Sequence, residues 1–256
     1  MSENVLHHLQ SSLADQYRAL DQHIGQLADP LAAHALHQTR IAMRSLRSLL
    51  RPWREQAEWF AVVDHIAGEL GRNTSQLRDR QVLIQELEKR GLHYQTLARK
   101  EGMLTGFGLI GSDRRFDLLL LAIITLQNRL VAGGAEYHID PIRLADYAQN
   151  MSRKLVGALQ NPHQDMHDIR IKIKRLRYLY QAYPEYLQPS SIMTKTLKNA
   201  QDELGEWHDN LQWLMVSEHE SDLRCCRVYW QMQIDRRARR ARKRLKKLRK
   251  LLRRSL

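Results

Sequence analysis

The sequence predicts an all-α protein built from two similar four-helix units. Three observations carry that prediction. Apolar residues recur with helical period almost throughout the 256 residues. All six prolines, Pro30, Pro52, Pro141, Pro162, Pro184 and Pro189, fall at the breaks between the periodic segments. A segment rich in arginine at 37–51 returns at 167–181.

In chain order the periodic segments are 5–28, 32–51, 54–89, 113–132, 141–160, 163–183, 190–220 and 222–253. The first ends ahead of Pro30, and the second runs up to Pro52. The third is read as one long helix. Between it and the fourth, Gly91, Gly102, Gly106, Gly108 and Gly111 crowd together, which predicts a long mobile loop. Gly133 and Gly134 stop the fourth helix. Asp140-Pro141 and Asn161-Pro162 each read as an N-cap followed by proline at the first helical position, opening the fifth and sixth. The last segment keeps leucines at 245, 248, 251 and 252, a three-to-four spacing that can close a bundle.

The duplication is read from register. HQTRIAMRSLRSLLR at 37–51 and HDIRIKIKRLRYLYQ at 167–181 share six of fifteen residues at an offset of 130. The same offset aligns Leu77-Arg78-Asp79 with Trp207-His208-Asp209 without a gap. Two repeats, 1–111 and 112–256, follow within a single domain.

Charge locates the chemistry. Lys and Arg number 41 against 28 Asp and Glu, a formal balance of +13. Thirteen of these bases lie among the nineteen residues Arg236 to Arg254, and removing them leaves the other 28 in balance with 28 acids. Basic sites elsewhere must therefore arise by clustering. One cluster is on helix 32–51, where His37, Arg40, Arg44, Arg47 and Arg51 fall within an arc of about 80° and extend about 21 Å. Ala42, Leu46, Leu49 and Leu50 take the opposite, core-facing side. The second repeat has His167, Arg170, Lys174 and Arg177, with Ile169, Ile173, Leu176, Leu179 and Tyr180 turned away. A merely solvated face would mix in acids for i,i+4 pairing, and these stripes contain none. Lines of like charge call for an anionic partner, and the guanidinium fork suits phosphate. Neither phosphate-binding glycine motif, G-x-G-x-x-G or G-x-x-x-x-G-K-[ST], occurs. The ligand is therefore expected to be an extended polyanion rather than a nucleotide.

H-x-x-R-x-x-x-R-x-x-R on a helix, a following helix with Leu-Arg-Asp, and a second copy with His-Asp resemble the CHAD domain, the conserved-histidine α-helical domain, from about Leu6 to Arg254. The resemblance implies two four-helix bundles that bind inorganic polyphosphate in a basic central cavity, with no catalytic activity. It puts His37, Arg40, Arg44, Arg47, His167, Arg170, Lys174 and Arg177 around that cavity, with Arg51 continuing the first stripe and Arg78 and His208 at equivalent later positions. Other polyanions are further possible partners, and no metal or cofactor is expected.

Two other classes of protein could carry such stripes. A nucleic-acid-binding protein would use the stripes and the basic tail, but the body is neutral and no reading motif is present. A metal phosphohydrolase of the HD type would need His167, His208, Asp209 and Asp222 or Asp235 as ligands. Against it, the first repeat has Arg78-Asp79 at the matching place, and the histidine helices are lined with cations. Asp79 and Asp209 are read as acceptors that orient neighbouring arginines, and the five tryptophans as core. The tail is read as a long, partly solvated helix end or as an arm that lengthens the anion site, with polyanion contact favoured. Being flexible and well solvated, it should count for less per charge than the stripes, and residues 244–256 should be removable without unfolding. The longest nearly apolar run, Leu118 to Leu126, is short of the about 20 residues a membrane span needs. With no signal peptide and only the adjacent Cys225 and Cys226, the chain reads as cytoplasmic, associated with polyphosphate granules.

Overall fold

The computed structural model describes residues 2–29, 34–133, 137 and 139–256; Pro30, the first residues of segment 32–51 and Gly134 lie outside these. The helices are α1 (Ser2–Ile24), α2 (Ala35–Leu50), α3 (Glu58–Asn73), α4 (Ser75–Lys89), α5 (His93–Gly111), α6 (Arg115–Gly133), α7 (Pro141–Gln160), α8 (Met166–Ala182), α9 (Pro184–Leu187), α10 (Ser191–His219) and α11 (Arg227–Ser255). Short 3₁₀ turns at Arg51–Trp53 and Ser221–Cys226 precede α3 and α11. There is no strand among the described residues.

The chain forms two compact units, Met1–Arg143 and Leu144–Leu256. In the first, α1 packs on α2 and α6, and α3 packs on the same two, giving a ring of four helices. Leu9, Leu13 and Leu20 of α1, Leu36, Leu46 and Leu50 of α2, and Phe60 and Val63 of α3 are buried there. The fourth member, α6, buries Phe116, Leu119, Ile123, Leu126 and Leu130. Compactness therefore divides after Arg143, not after residue 111, because α6 packs with the first unit. By length and composition α6 is also apolar enough to cross a membrane, although its longest unbroken apolar run is short. Its buried line makes it a core helix of the first unit.

Two parts of the first unit differ from the sequence expectation. Segment 54–89 is not one helix: it breaks at Thr74, which separates α3 from α4. The Thr74 hydroxyl donates back to the carbonyl of Leu70 at 2.8 Å, and Arg40 donates to Thr74 Oγ1 at 2.6 Å. Side-chain partners at the end of α3 thus compete with helix continuation. The glycine-rich stretch is not a loop either: it is α5, packed on α4. A Cβ at Gly106 would stand 2.9 Å from Leu77 Cδ1, so this glycine permits close helix approach instead of marking a turn. Only Gly91, at φ +69°, acts as punctuation, closing the end of α4.

In the second unit α7, α8, α10 and α11 share one core. Leu155, Ile169, Ile173, Leu176, Leu197, Leu204, Leu245, Leu248 and Leu252 belong to it. Asp140 caps α7 as expected, accepting from Arg143 N at 2.8 Å. For α8 the cap is Asp165, which accepts from His167 N, whereas Asn161 serves only a local turn through His163 N. The tail is no flexible arm. It continues α11 without interruption to Ser255, with its leucines in the core. Of the tryptophans, Trp53 and Trp230 are fully buried, while Trp59, Trp207 and Trp213 are half-buried.

Candidate functional site

In the first unit α2 presents the stripe and buries the face opposite: Ala42, Leu46, Leu49 and Leu50 are all inside. His37, Arg40, Arg44, Arg47 and Arg51 are half-buried. The stripe divides into two ends with different environments.

The upper end is a cluster of cations around His37. Partial burial, then Arg78, Arg44, His34 and Arg40, hold the His37 imidazole below its usual pKa, which keeps the ring neutral. Arg40 reaches across to the corner between α3 and α4, donating to Gly71 O at 2.7 Å, Thr74 Oγ1 at 2.6 Å and Ser75 Oγ at 3.3 Å. A guanidinium on the last carbonyls of α3 is favoured by the helix dipole. Burial and then the neighbouring Arg44 pull Arg40 down to about 10, Arg78 adds to this, and the exposed Asp79 opposes it through space. Arg78, on α4, donates to Gln81 Oε1 at 3.2 Å. The structure thus brings His37, Arg40, Arg44 and Arg78 together.

The lower end has a counter-ion. Asp64 of α3 is 2% exposed. It accepts from Arg47 Nε at 2.8 Å and lies 3.5 Å from Arg51 Nε and 3.4 Å from Arg54 Nη1. Gly68, one turn on, makes room: a Cβ there would stand 3.0 Å from Arg47 Cζ and Nη2. Sequence reasoning missed Asp64, Gly68, Arg54 and Thr74. The available signal was the apolar line of α3, Phe60, Val63, Ala67 and Leu70, which Asp64 interrupts. A carboxylate on a core-facing stripe needs a buried partner.

In the second unit α8 turns Ile169, Ile173, Leu176 and Leu179 inward, leaving His167, Arg170, Lys174 and Arg177 half-buried. Met193, Leu197, Ala200 and Leu204 hold α10 against the same core. That packing brings His208 to His167, with ring centroids 4.9 Å apart and planes at 45°. Burial, then Arg170, His167 and Lys174, lower His208 to about 4, with Asp165 opposing. The ring is therefore neutral at pH 7, and its buried Nδ1 has no hydrogen-bond partner among the described residues. Arg177 stands apart, its guanidinium 5.6 Å from the centroid of the Tyr178 ring.

Neither cluster resembles a metal centre. No group of three or more His, Cys, Asp and Glu is placed to hold an ion among the described residues. The charged neighbours that lower the pKa of His208 are cations, and a cationic shell opposes a metal.

Fold and site together define an all-helical domain with histidine-centred cation clusters on the stripe helices of two units. The chain belongs to the CHAD domain family, whose model matches residues 11–215. Its fold is similar to that of the crystal structure of the CHAD domain from the plant Ricinus communis, with TM-score 0.71 and 18% identity over 97% of this chain and 91% of that one. No curated protein matches the sequence.

Proposed function

We propose that this protein binds inorganic polyphosphate and performs no chemistry on it, and that binding recruits it to polyphosphate granules in the cytoplasm. The ligand would lie along the α2 face at His37, Arg40, Arg44 and Arg78, and along the α8 face at His167, Arg170, Lys174, Arg177 and His208. Membership of the CHAD family, whose domains are linked to polyphosphate, supports the reading. The observation that carries it is the gathering of His37, Arg40, Arg44 and Arg78 in one unit and of His167, Arg170, Lys174 and His208 in the other. The Arg and Lys side chains packed around each neutral histidine repel one another. An anion with closely spaced charges relieves that repulsion at several points at once. Phosphate oxygens do so with charge-assisted hydrogen bonds, each worth about 1.5–3 kcal/mol.

The test is a titration of the purified protein with long-chain polyphosphate, and with orthophosphate at equal total phosphate. Tight, salt-sensitive binding of the long chain alone is expected. Arg44→Ala combined with Lys174→Ala should weaken it by about 100-fold or more, with helical circular dichroism unchanged. Equal binding of orthophosphate, full affinity in the double variant, or metal-dependent release of phosphate from the chain would each overturn the proposal.

A further inference from the structure

Three features lie outside the histidine clusters: the exposed apolar line of α6, the adjacent cysteines before α11, and the outer surface of α11. Nothing identifies what would cover Leu118, Leu121 and Val131, and Cys225 and Cys226 are adjacent cysteines outside any disulfide. The third goes further.

From Arg236 to Arg254, α11 carries thirteen Lys or Arg and no acid, and these supply the whole of the chain's excess positive charge. At 100° per residue, Ala241, Leu245, Leu248 and Leu252, all buried, fall within an arc of about 60°. The exposed bases sweep about 200° of the remaining circumference, from Arg242 round to Arg244. Arg237 is paired with Glu203 and Glu206 of α10. It is the one base of this segment with an ion pair among the described residues.

We propose that the outer face of α11 is a second anion site, separate from the stripes, that binds the phosphate backbones of duplex DNA without reading sequence. The inference does not rest on polyphosphate binding. Charge density is the first argument. The segment rises about 27 Å, which is roughly one base per 2 Å, close to the one phosphate per about 1.7 Å that a DNA duplex presents along its axis. Angular width is the second. A single phosphate row meets one line of side chains, whereas a 200° arc serves two rows facing each other. The major groove of B-DNA, about 12 Å wide, admits a helix of about 10–12 Å diameter between two such rows. The deep, narrow major groove of duplex RNA does not.

The residue types settle the rest. Nine of the thirteen bases are arginine, which grips phosphate with two parallel bonds. The segment holds no Asn or Gln to read base edges and no aromatic side chain to stack on an unpaired base. Nor does the arc carry an exposed apolar wedge for a bilayer; the segment's apolar residues are buried or half-buried.

The experiment replaces five bases at the crown of the arc, Arg239, Arg242, Lys243, Lys246 and Lys250, all exposed, with Gln, a good helix former. A second variant replaces Arg239 and Arg242 with Lys, keeping the charge. Binding of a mixed-sequence 25-bp duplex is followed by fluorescence anisotropy between about 50 and 200 mM salt. The five-Gln variant should lose at least about 100-fold in DNA affinity, and its salt slope should flatten by about 4–5, at about 0.9 per phosphate contact. The charge-keeping variant should stay within a few-fold of the native protein. Polyphosphate affinity should change far less than DNA affinity, and Arg44→Ala with Lys174→Ala should leave DNA binding intact. The proposal fails if the native protein does not bind the duplex, if the five-Gln variant binds it normally, or if DNA and polyphosphate affinities fall together. It fails also if vesicles containing phosphatidylserine compete with DNA at equal charge.

Discussion

Asp64→Asn removes one negative charge and almost no volume from the point where Arg47, Arg51 and Arg54 converge. Breaking a buried ion pair by deleting one partner costs about 3–5 kcal/mol, because the remaining charge is left uncompensated. Here the cost is lower. The Arg47, Arg51 and Arg54 side chains are 27%, 18% and 51% exposed, so they can turn partly to water. A loss of about 2–3 kcal/mol is expected after that discount. For a unit of this size it lowers Tm by about 5–12 °C, read by circular dichroism or calorimetry. Polyphosphate should behave in the opposite sense. With Asp64 neutral, the positive field at the lower end of the α2 stripe rises, and affinity should hold or rise. Saturating polyphosphate, at about 100 times its Kd, stabilises a folded state by about 2.7 kcal/mol, and the variant should gain more than the native protein. An unchanged Tm would refute the account of Asp64 as a buried counter-ion. A tenfold loss of polyphosphate affinity in a folded variant would refute its account as a competitor for the stripe, since Asp64 would then be positioning Arg47 for the ligand.

Three shorter predictions follow from the same contacts. Gly→Ala within a helix ordinarily gains about 0.5–1 kcal/mol, but Gly68→Ala should lose stability in chemical denaturation because the new Cβ displaces Arg47 from Asp64; in the Asp64→Asn background the ordinary gain should return. Leu248→Ala, at a fully buried position, should cost about 2–5 kcal/mol, and deletion of 244–256, which strips Leu245, Leu248 and Leu252 from the core, should leave the second unit open to limited proteolysis. His208 favours its neutral form in the fold, so its contribution to stability is present above pH 6.5 and is lost as pH falls from 6.5 toward about 4. A bound polyanion offsets the part of the shift that comes from Arg170 and Lys174, though not the part due to burial: NMR should show His208 titrating higher in the complex, and affinity should rise as pH falls toward 5.

How far the sequence revealed the molecule depended on whether a residue's role is local. The inward faces of α2 and α8 were legible because burial of Leu46, Leu49, Ile173 and Leu176 follows from spacing alone. The histidine clusters were half legible. Register paired Arg78 with His208, the family resemblance set both near the stripes, and in the structure Arg78 lies near His37 and His208 near His167, Arg170 and Lys174. The burial that keeps His37 and His208 neutral depends on neighbouring helices and leaves no pattern in one segment. Asp64 was invisible for a different reason. The α2 stripe looks acid-free along its own helix, and its counter-ion comes from α3, seventeen positions after Arg47. The glycines of α5 misled because glycine serves turns and close helix contacts alike, and only the partner, Leu77, tells which. The tail misled through its charge: thirteen bases suggest solvent, yet one leucine per turn suffices to hold the helix in the core.

The two stripes share a spacing but not a counter-ion, and this yields a last prediction. At the offset of 130, Asp64 corresponds to Thr194, Gly68 to Lys198 and Arg51 to Gln181. The second unit therefore has neither the buried carboxylate nor the gap that draws Arg47 inward. Arg177, which corresponds to Arg47, has no carboxylate partner among the described residues and rests beside the Tyr178 ring. Before Arg47 can serve a phosphate it must give up Asp64, so binding there exchanges one charge-assisted contact for another and the net gain is small. Arg177 gives up only a cation–π contact, worth about 0.5–1 kcal/mol at an exposed site. Arg177→Ala should accordingly weaken polyphosphate binding by about tenfold, the middle of the range left by 1.5–3 kcal/mol per contact less that exchange. Arg47→Ala should change affinity by less than about threefold while costing stability, because it leaves Asp64 to Arg51 and Arg54. Isothermal titration of both variants, with Tm measured in parallel, separates the two roles. If Arg47→Ala loses affinity as steeply as Arg177→Ala, the stripes are equivalent in binding, and the pairing with Asp64 is too weak to withhold Arg47 from the ligand.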